Sequence, residues 1–184
     1  MRKNKFVIGK MLLPDLVAFF AAFILDQFTK YLAISRLKNQ QAIVLIEGVL
    51  ELEYLENTGS AFSLFQNKTV FILLLGFMVL AILIFIICKL PQDRRFRIAH
   101  LLLAMLIAGA VGNLTDRIRF GFVVDFISFV LIHFPVFNVA DCFVVVCTLL
   151  LFLLFMFVYK EEDLEFLQTK KGRLTKQDKE KDKE

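Results

Sequence analysis

The 184-residue sequence has no tryptophan and only two histidines, three cysteines and three prolines. Without tryptophan, an aromatic belt at a membrane interface has to come from phenylalanine and tyrosine. Cys88, Cys142 and Cys147 lie in or beside apolar runs and show neither metal-ligand spacing nor a disulfide framework, so we interpret them as small buried residues. His100 and His133 are far apart in the sequence, which argues against a histidine metal site. No serine–histidine pair, zinc motif or phosphate-binding loop is apparent.

Long apolar runs dominate what is present. The sequence is 58% hydrophobic and 22% charged, with a mean hydropathy of +0.69. Its apolar residues are concentrated in blocks, which is typical of an integral membrane protein. The blocks predict four transmembrane helices at about residues 11–34, 69–88, 98–115 and 137–159. We expect one domain over residues 1–160, followed by a charged cytoplasmic tail over 161–184 that is solvated and poorly ordered.

The first run follows a basic N-terminus, as the apolar core of a signal peptide would. It is longer than such a core, and Asp26 and Lys30 interrupt it, so we expect it to be retained as a transmembrane helix. The two charged residues are four positions apart, with the acid first, which places them on one helix face in the favourable order. They are predicted to form an ion pair near the outer end of the helix.

Lysine and arginine are concentrated at the N-terminus, in the loop between the second and third runs, and at the start of the tail. Because cytoplasmic segments are enriched in these residues, both termini are predicted to be cytoplasmic. Arg117 and Arg119 are exceptions, because they lie on the predicted outer side; we attribute them to a role in a functional site. The formal charge of +4 lies in short clusters beside the apolar runs. This arrangement suits membrane orientation better than nucleic-acid binding.

The stretch from Gly109 to Asp141 carries a group of polar residues between two apolar runs, at the outer face in this topology. They are Asn113, Asp116, Arg117, Asp125, Asn138 and Asp141. Ionisable side chains in a bilayer are costly, so they are functional candidates by default. Asp125 and Asp141 together can activate water: one ionised carboxylate takes a proton and one protonated carboxyl polarises a carbonyl. From spacing alone, a polar network that packs helix ends or lines a transport path stays equally open.

Shorter patterns predict how the chain packs around this stretch. Apolar and acidic residues alternate over residues 50–54, and residues 122–126 show a similar alternation, so two strands are predicted to pair at the membrane surface. In the third run, Ala104, Ala108 and Gly112 recur every four residues. Such a stripe of small residues allows another helix to pack closely.

Five sequence blocks occur in order along the four runs. They are DQFTK from Asp26, ENTGSAF from Glu56, AGAVGNLTDR from Ala108, GFVVDF from Gly121 and FNVAD from Phe137. In these blocks and their order, the chain resembles the lipoprotein signal peptidases, or signal peptidase II, over about residues 14–159. The resemblance implies an all-α membrane protein with four transmembrane helices, a small extracytoplasmic β-cradle and a short surface helix. It also implies a bacterial inner-membrane aspartic endopeptidase that removes the signal peptide from diacylglyceryl-modified prolipoproteins, cleaving before the lipidated cysteine.

By the same resemblance, Asp125 and Asp141 match the catalytic pair. The positions that match substrate-binding or supporting residues are Asp26, Lys30, Asn57, Gly109, Asn113, Asp116, Arg117 and Asn138. The sequence departs from the family at Ser60, where alanine is usual, and at Cys142, where serine is common. No metal or cofactor is implied. The expected partners are the prolipoprotein and membrane lipids, without nucleic acid, and the chain is expected to act as a monomer.

Two other functions are compatible with an apolar chain of this kind. A small transporter or channel subunit would use Asp26, Lys30 and Asp141 as a charged relay. That function predicts acidic residues along the middle of several helices, and the second and fourth runs lack them. A non-enzymatic membrane scaffold would tolerate replacement of either Asp125 or Asp141.

Overall fold

The computed structural model describes residues 8–59, 69–160 and 163. It contains four long helices: α1 at Ile8–Leu37, α2 at Thr69–Lys89, α3 at Arg97–Phe120 and α4 at Val139–Phe157. All four are long and apolar enough to cross a membrane, as predicted. Ser60 and nearly all of the predicted tail lie outside the described residues.

The third helix extends five residues beyond its predicted end at residue 115. The added residues include Asp116 and Arg117, whose charges had marked the end of the apolar run. The backbone stays helical here because both side chains are paired inside the protein: Asp116 with Lys30, and Arg117 with the backbone oxygen of Gly59. The helix ends at Gly121, which has φ 83° and donates its backbone N–H to the carbonyl of Arg117. Glycine adopts this left-handed conformation without strain, which makes it a common helix terminator.

α3 lies at the centre of the bundle and packs against each of the other three helices. The predicted small-residue stripe is buried here, and Ala108 is fully covered. A Cβ built on Gly109 would lie 2.7 Å from the backbone oxygen of Ala140, so α4 approaches at a distance that only glycine permits. A Cβ on Gly112 would collide with the carboxylate of Asp26 in the same way. Both glycines therefore bring polar groups of α1 and α4 into contact with α3.

A three-stranded antiparallel sheet, in the order β1-β2-β3, packs against one end of the bundle. Its strands are β1 at Ile43–Ile46, β2 at Leu50–Asn57 and β3 at Val123–Phe129. The predicted pairing of the two alternating segments is confirmed, with Leu55 opposite Asp125 and Asn57 opposite Val123. β1 was not predicted. Its sequence, IVLI, lacks alternation because all four side chains are exposed.

The sheet is attached to the helices through its apolar side chains. Val124 and Phe126 of β3 form a buried cluster with Ala33 and Leu37 at the end of α1. In addition, the backbone N–H of Val124 donates a hydrogen bond to Asp116 of α3, at 3.2 Å. These contacts fix β3, and therefore Asp125, against the end of the bundle.

The fourth helix begins two residues later than predicted, because Asn138 caps it. The side-chain oxygen of Asn138 accepts the backbone N–H of Asp141 at 3.0 Å, and the carboxylate of Asp141 accepts the backbone N–H of Asn138 at 3.2 Å. This reciprocal capping box is a known device for starting a helix. It fixes the Asp141 carboxylate in the first turn of α4.

The short surface helix implied by the resemblance has no α-helical counterpart within residues 8–59 and 69–160. Beyond the four long helices, those ranges contain 3-10 turns at Arg94–Phe96 and Val130–Ile132.

Candidate active site

A buried group of three charges joins α1 to α3. The ammonium of Lys30 lies 3.0 Å from the carboxylate of Asp26 and 2.9 Å from that of Asp116, and all three side chains are at most 3% exposed. The amide of Gln27 donates to both carboxylates, at 3.1 and 3.3 Å. Asp26 also accepts the backbone N–H of Ala140 at 3.0 Å, which adds α4 to the same network. One network of charges thus links three of the four helices.

The predicted Asp26–Lys30 ion pair is confirmed, but it is only part of this group. Asp116 is the second partner of Lys30, and it lies 86 positions further along the chain, where no helix periodicity points to it. Gln27 was also missed, although it stands inside the DQFTK block. A glutamine beside a buried carboxylate is a weak signal, because only the fold shows which residues it bridges.

Lys30 also determines the orientation of Asn113. Its ammonium donates to the amide oxygen of Asn113 at 2.8 Å. An ammonium only donates hydrogen bonds, so the amide oxygen must face it, and the NH₂ group faces the other way. That NH₂ donates to the carboxylate of Asp141 at 2.8 Å. A charge in α1 therefore fixes a hydrogen bond to a carboxylate in α4.

Asn138 and Asn57 are oriented by the same principle. The amide oxygen of Asn138 accepts the backbone N–H of Asp141, and that of Asn57 accepts the backbone N–H of Gly59 at 3.0 Å. Backbone N–H groups only donate, so both NH₂ groups must point to the opposite side. Both reach Asp125, with Asn138 at 2.6 Å from one carboxylate oxygen and Asn57 at 2.8 Å from the other.

Asp125 is almost fully buried. Its pKa is raised to about 7, mainly by burial and in addition by the nearby charge of Asp141, whereas the amide donors of Asn57 and Asn138 oppose the rise. Removal from water disfavours the charged form of a carboxyl group. Near neutral pH, Asp125 is therefore divided between its protonated and ionised forms.

Asp125 and Asp141 both line one cavity of about 480 Å³. Asn57, Asn113 and Arg117 complete its polar end, and the guanidinium of Arg117 donates to the backbone oxygen of Gly59 at 3.0 Å. The remaining wall is mostly apolar. It consists of Val123, Phe134, Pro135, Val136, Phe137, Cys142, Val144, Val145 and Val146. The two carboxylates thus face a space that can admit an apolar molecule.

The predicted site residues divide into two groups. The structure brings together Asn57, Asn113, Arg117, Asp125 and Asp141 around the cavity, and Asn138 lies directly behind Asp125. A second group supports them from within the bundle: Asp26, Lys30, Gly109 and Asp116. In the part of the chain that the structure describes, no group of three or more His, Cys, Asp or Glu side chains is arranged to hold a metal ion.

Replacing Lys30 with alanine should strongly lower stability. The substitution leaves Asp26 and Asp116 buried together without a countercharge, and breaking a buried ion pair typically costs about 3–5 kcal/mol. Thermal unfolding of the purified protein in detergent should show a clear fall in midpoint, together with reduced folded yield.

Lys38→Ala provides a matched control. Lys38 also pairs with a carboxylate, that of Glu56 at 2.9 Å, but both side chains are more than 40% exposed. Exposed ion pairs contribute little to stability, so this variant should unfold close to the wild-type midpoint. An unchanged midpoint for Lys30→Ala would show that the buried group is not a stability determinant.

Comparison with known proteins identifies the family of the chain. A family profile described as "Signal peptidase (SPase) II" matches residues 18–157. A lipoprotein signal peptidase of Caldanaerobacter subterraneus subsp. tengcongensis is 46% identical over 134 residues, which cover 72% of this chain and 89% of that protein. One of Clostridium tetani is 38% identical over 154 residues, covering 82% and 96%.

Among solved structures, a bacterial membrane enzyme determined by the in meso method matches with a TM-score of 0.67 and 27% identity, covering 88% of this chain and 97% of that one. A second in meso structure of a bacterial membrane enzyme matches with a TM-score of 0.63 and 26% identity, covering 86% and 99%. The profile match and the identities over most of both chains lead to one conclusion: the chain belongs to the signal peptidase II family.

Proposed function

We propose that the protein removes the signal peptide from prolipoproteins by aspartic-type hydrolysis, with Asp125 and Asp141 as the acting pair. The observation that carries this proposal is the convergence of the two carboxylates, one from β3 and one from α4, on a single cavity with an apolar wall. Relatives that are named lipoprotein signal peptidase support the substrate class.

The surroundings of the two carboxylates support different roles for them. Asp125 is buried, and its pKa of about 7 keeps a substantial fraction protonated near neutral pH, in the form that can polarise a carbonyl. Asp141 lies in the first turn of α4, where its carboxylate accepts the backbone N–H of Asn138 and the NH₂ group of Asn113, so it is held beside the cavity in the position of a base.

In the proposed reaction, ionised Asp141 takes a proton from a water molecule, and the water oxygen attacks the scissile carbonyl carbon. Protonated Asp125 gives its proton to the carbonyl oxygen, which forms a neutral tetrahedral diol. Collapse of the diol breaks the C–N bond. Asp141 returns its proton to the leaving amine, and Asp125 recovers one from a hydroxyl of the diol, so both groups end as they began.

The apolar wall of the cavity supports a lipid-modified substrate. Val144, Val145 and Val146 come from α4, and the latter two are more than half exposed on a helix of membrane-spanning length. Such a wall suits the signal peptide or the diacylglyceryl group of a substrate held in the bilayer. Positioning a bound substrate against fixed catalytic groups contributes much of the rate enhancement of many enzymes.

Asp125→Asn and Asp141→Asn should each fold and bind substrate but fail to cleave it. Asparagine is nearly isosteric with aspartate but cannot exchange the proton. Each single variant should lose about a thousandfold or more in turnover, and the double variant should be little worse, because groups that act as a unit are not additive. Cleavage of a diacylglyceryl-modified prolipoprotein, mapped by mass spectrometry, measures this.

Cys142→Ser is the control, because Cys142 lines the same cavity beside Asp141 but has no role in the proposed steps. It should retain most of the activity. Near-normal turnover by either asparagine variant would remove that aspartate from the mechanism, and complete loss in the serine variant would point to cysteine chemistry.

The raised pKa of Asp125 predicts a pH-dependent difference in stability. Its folded pKa of about 7 exceeds the ordinary value of 3.8, so the folded protein binds an additional proton between these values. This contribution to stability is complete below about pH 4 and is lost as pH rises to about 7. Asp125→Asn does not titrate, so its unfolding midpoint relative to the wild type should rise from pH 4 to pH 8. A pH-independent difference would contradict the buried-acid role.

The distribution of lysine and arginine supports cytoplasmic termini, with the sheet and the cavity at the extracytoplasmic face of the inner membrane. In a cysteine-free background, a single cysteine at Glu47, in the exposed turn between β1 and β2, should react in intact cells with an impermeant thiol reagent. A cysteine at Arg94 should be protected. The reverse labelling pattern would overturn this topology.

A further inference from the structure

A second cavity, of about 700 Å³, lies beside the candidate active site along the sheet. The two cavities share four lining residues: Asn57, Phe134, Pro135 and Val136. We call the second one the sheet groove; it follows β2 from Glu51 to Asn57. An extended strand rises roughly 3.3 Å per residue, so this length accommodates about six residues of an extended peptide. A chain that crosses the two aspartates can therefore continue into the sheet groove.

The sheet groove differs from the active-site cavity in its charge. Glu51, Glu53 and Glu56 line it, and its lining includes neither lysine nor arginine. Glu56 is neutralised by Lys38 at 2.9 Å. Among the residues that the structure describes, Glu51 and Glu53 have no ion-pair partner. The groove therefore carries two uncompensated negative charges within reach of a bound chain.

Ser128 gives a second, independent indication that the sheet groove binds a ligand. It stands opposite Glu51 in the β2–β3 pairing and lines the groove. Its residue is only 7% exposed, yet its hydroxyl has no hydrogen-bond partner within the described part of the chain. Because Ser128 lines the groove and its hydroxyl makes no hydrogen bond of its own there, that hydroxyl is available to donate to or accept from a ligand.

We infer that the sheet groove binds the mature part of the substrate, the residues that follow the cleaved bond, and that it favours basic residues there over acidic ones. This inference rests on the proposed function. The apolar cavity suits the signal peptide and the lipid, whereas the acidic groove suits a hydrophilic segment leaving the membrane. Glu51 and Glu53 attract lysine or arginine side chains, and the Ser128 hydroxyl bonds the peptide backbone.

The test uses three diacylglyceryl-modified prolipoproteins that differ only in the four residues after the modified cysteine: lysines, serines or glutamates. With the wild type, the KM for the lysine substrate should be lower than that for the glutamate substrate by about tenfold, the combined effect of two exposed charge pairs. Added salt should reduce this ratio, because it screens exposed charges. In Glu51→Gln/Glu53→Gln, the ratio should fall toward one.

Glu47→Gln is the matched control, because it removes the same charge from the exposed β1–β2 turn, outside the sheet groove. It should leave the ratio unchanged. A wild-type ratio near one, or a ratio that the double variant does not alter, would overturn the inference while cleavage itself upholds the proposed function. If the wild type cleaves none of the substrates, the proposed function fails instead.

Photo-crosslinking tests the groove without relying on cleavage. A crosslinker in the mature segment of the serine substrate should attach to peptides containing residues 50–57 or 128–136. Attachment only elsewhere, or crosslinks only between two copies of the protein, would overturn the inference.

Discussion

The arrangement of the site depends on one buried ammonium group, that of Lys30. It lies between the carboxylates of Asp26 and Asp116, and it also holds the amide oxygen of Asn113. A charge enclosed in this way is stable only when its partners are complete, because an unpaired charge in a medium of low polarity is very costly. α1 and α3 must therefore pack in one fixed position along each other, and in that position Asn113 lies beside Asp141. The need to pair the buried charges thus fixes the positions of the helices, and those positions fix the side chains at the cavity.

Asn57, Asn113 and Asn138 hold the two carboxylates in place without adding charge. Each has its oxygen fixed by a group that can only donate, so each presents an NH₂ group to a carboxylate. Lysine or arginine at these positions would hold the carboxylates more strongly, but a full positive charge would favour the doubly ionised pair. Neutral donors keep the carboxylates in place and leave one of them able to carry a proton. Arg117, by contrast, directs its guanidinium to backbone oxygens.

Local patterns in the sequence predicted the parts of this structure that local physics determines. Hydropathy located four helices, alternation located β2 and β3, and a four-residue spacing located the Asp26–Lys30 pair. Side-chain contacts between segments that are distant in the sequence could not be predicted from local patterns. The pairing of Asp116 with Lys30 does not follow from sequence spacing, and neither does the orientation of each asparagine. Spacing alone left it open whether Asp125 and Asp141 come together. β1 was missed because a strand exposed on both faces has no periodicity to detect.

The exposed valines of α4 have a consequence for how reactants meet. Val145 and Val146 line the cavity and are also exposed on the surface of a membrane-length helix, so the cavity opens along the apolar surface of that helix, which the proposed function places in lipid. A substrate that arrives this way diffuses in two dimensions within the bilayer and never crosses bulk water. The concentration that governs its encounter rate is then its mole fraction in the membrane.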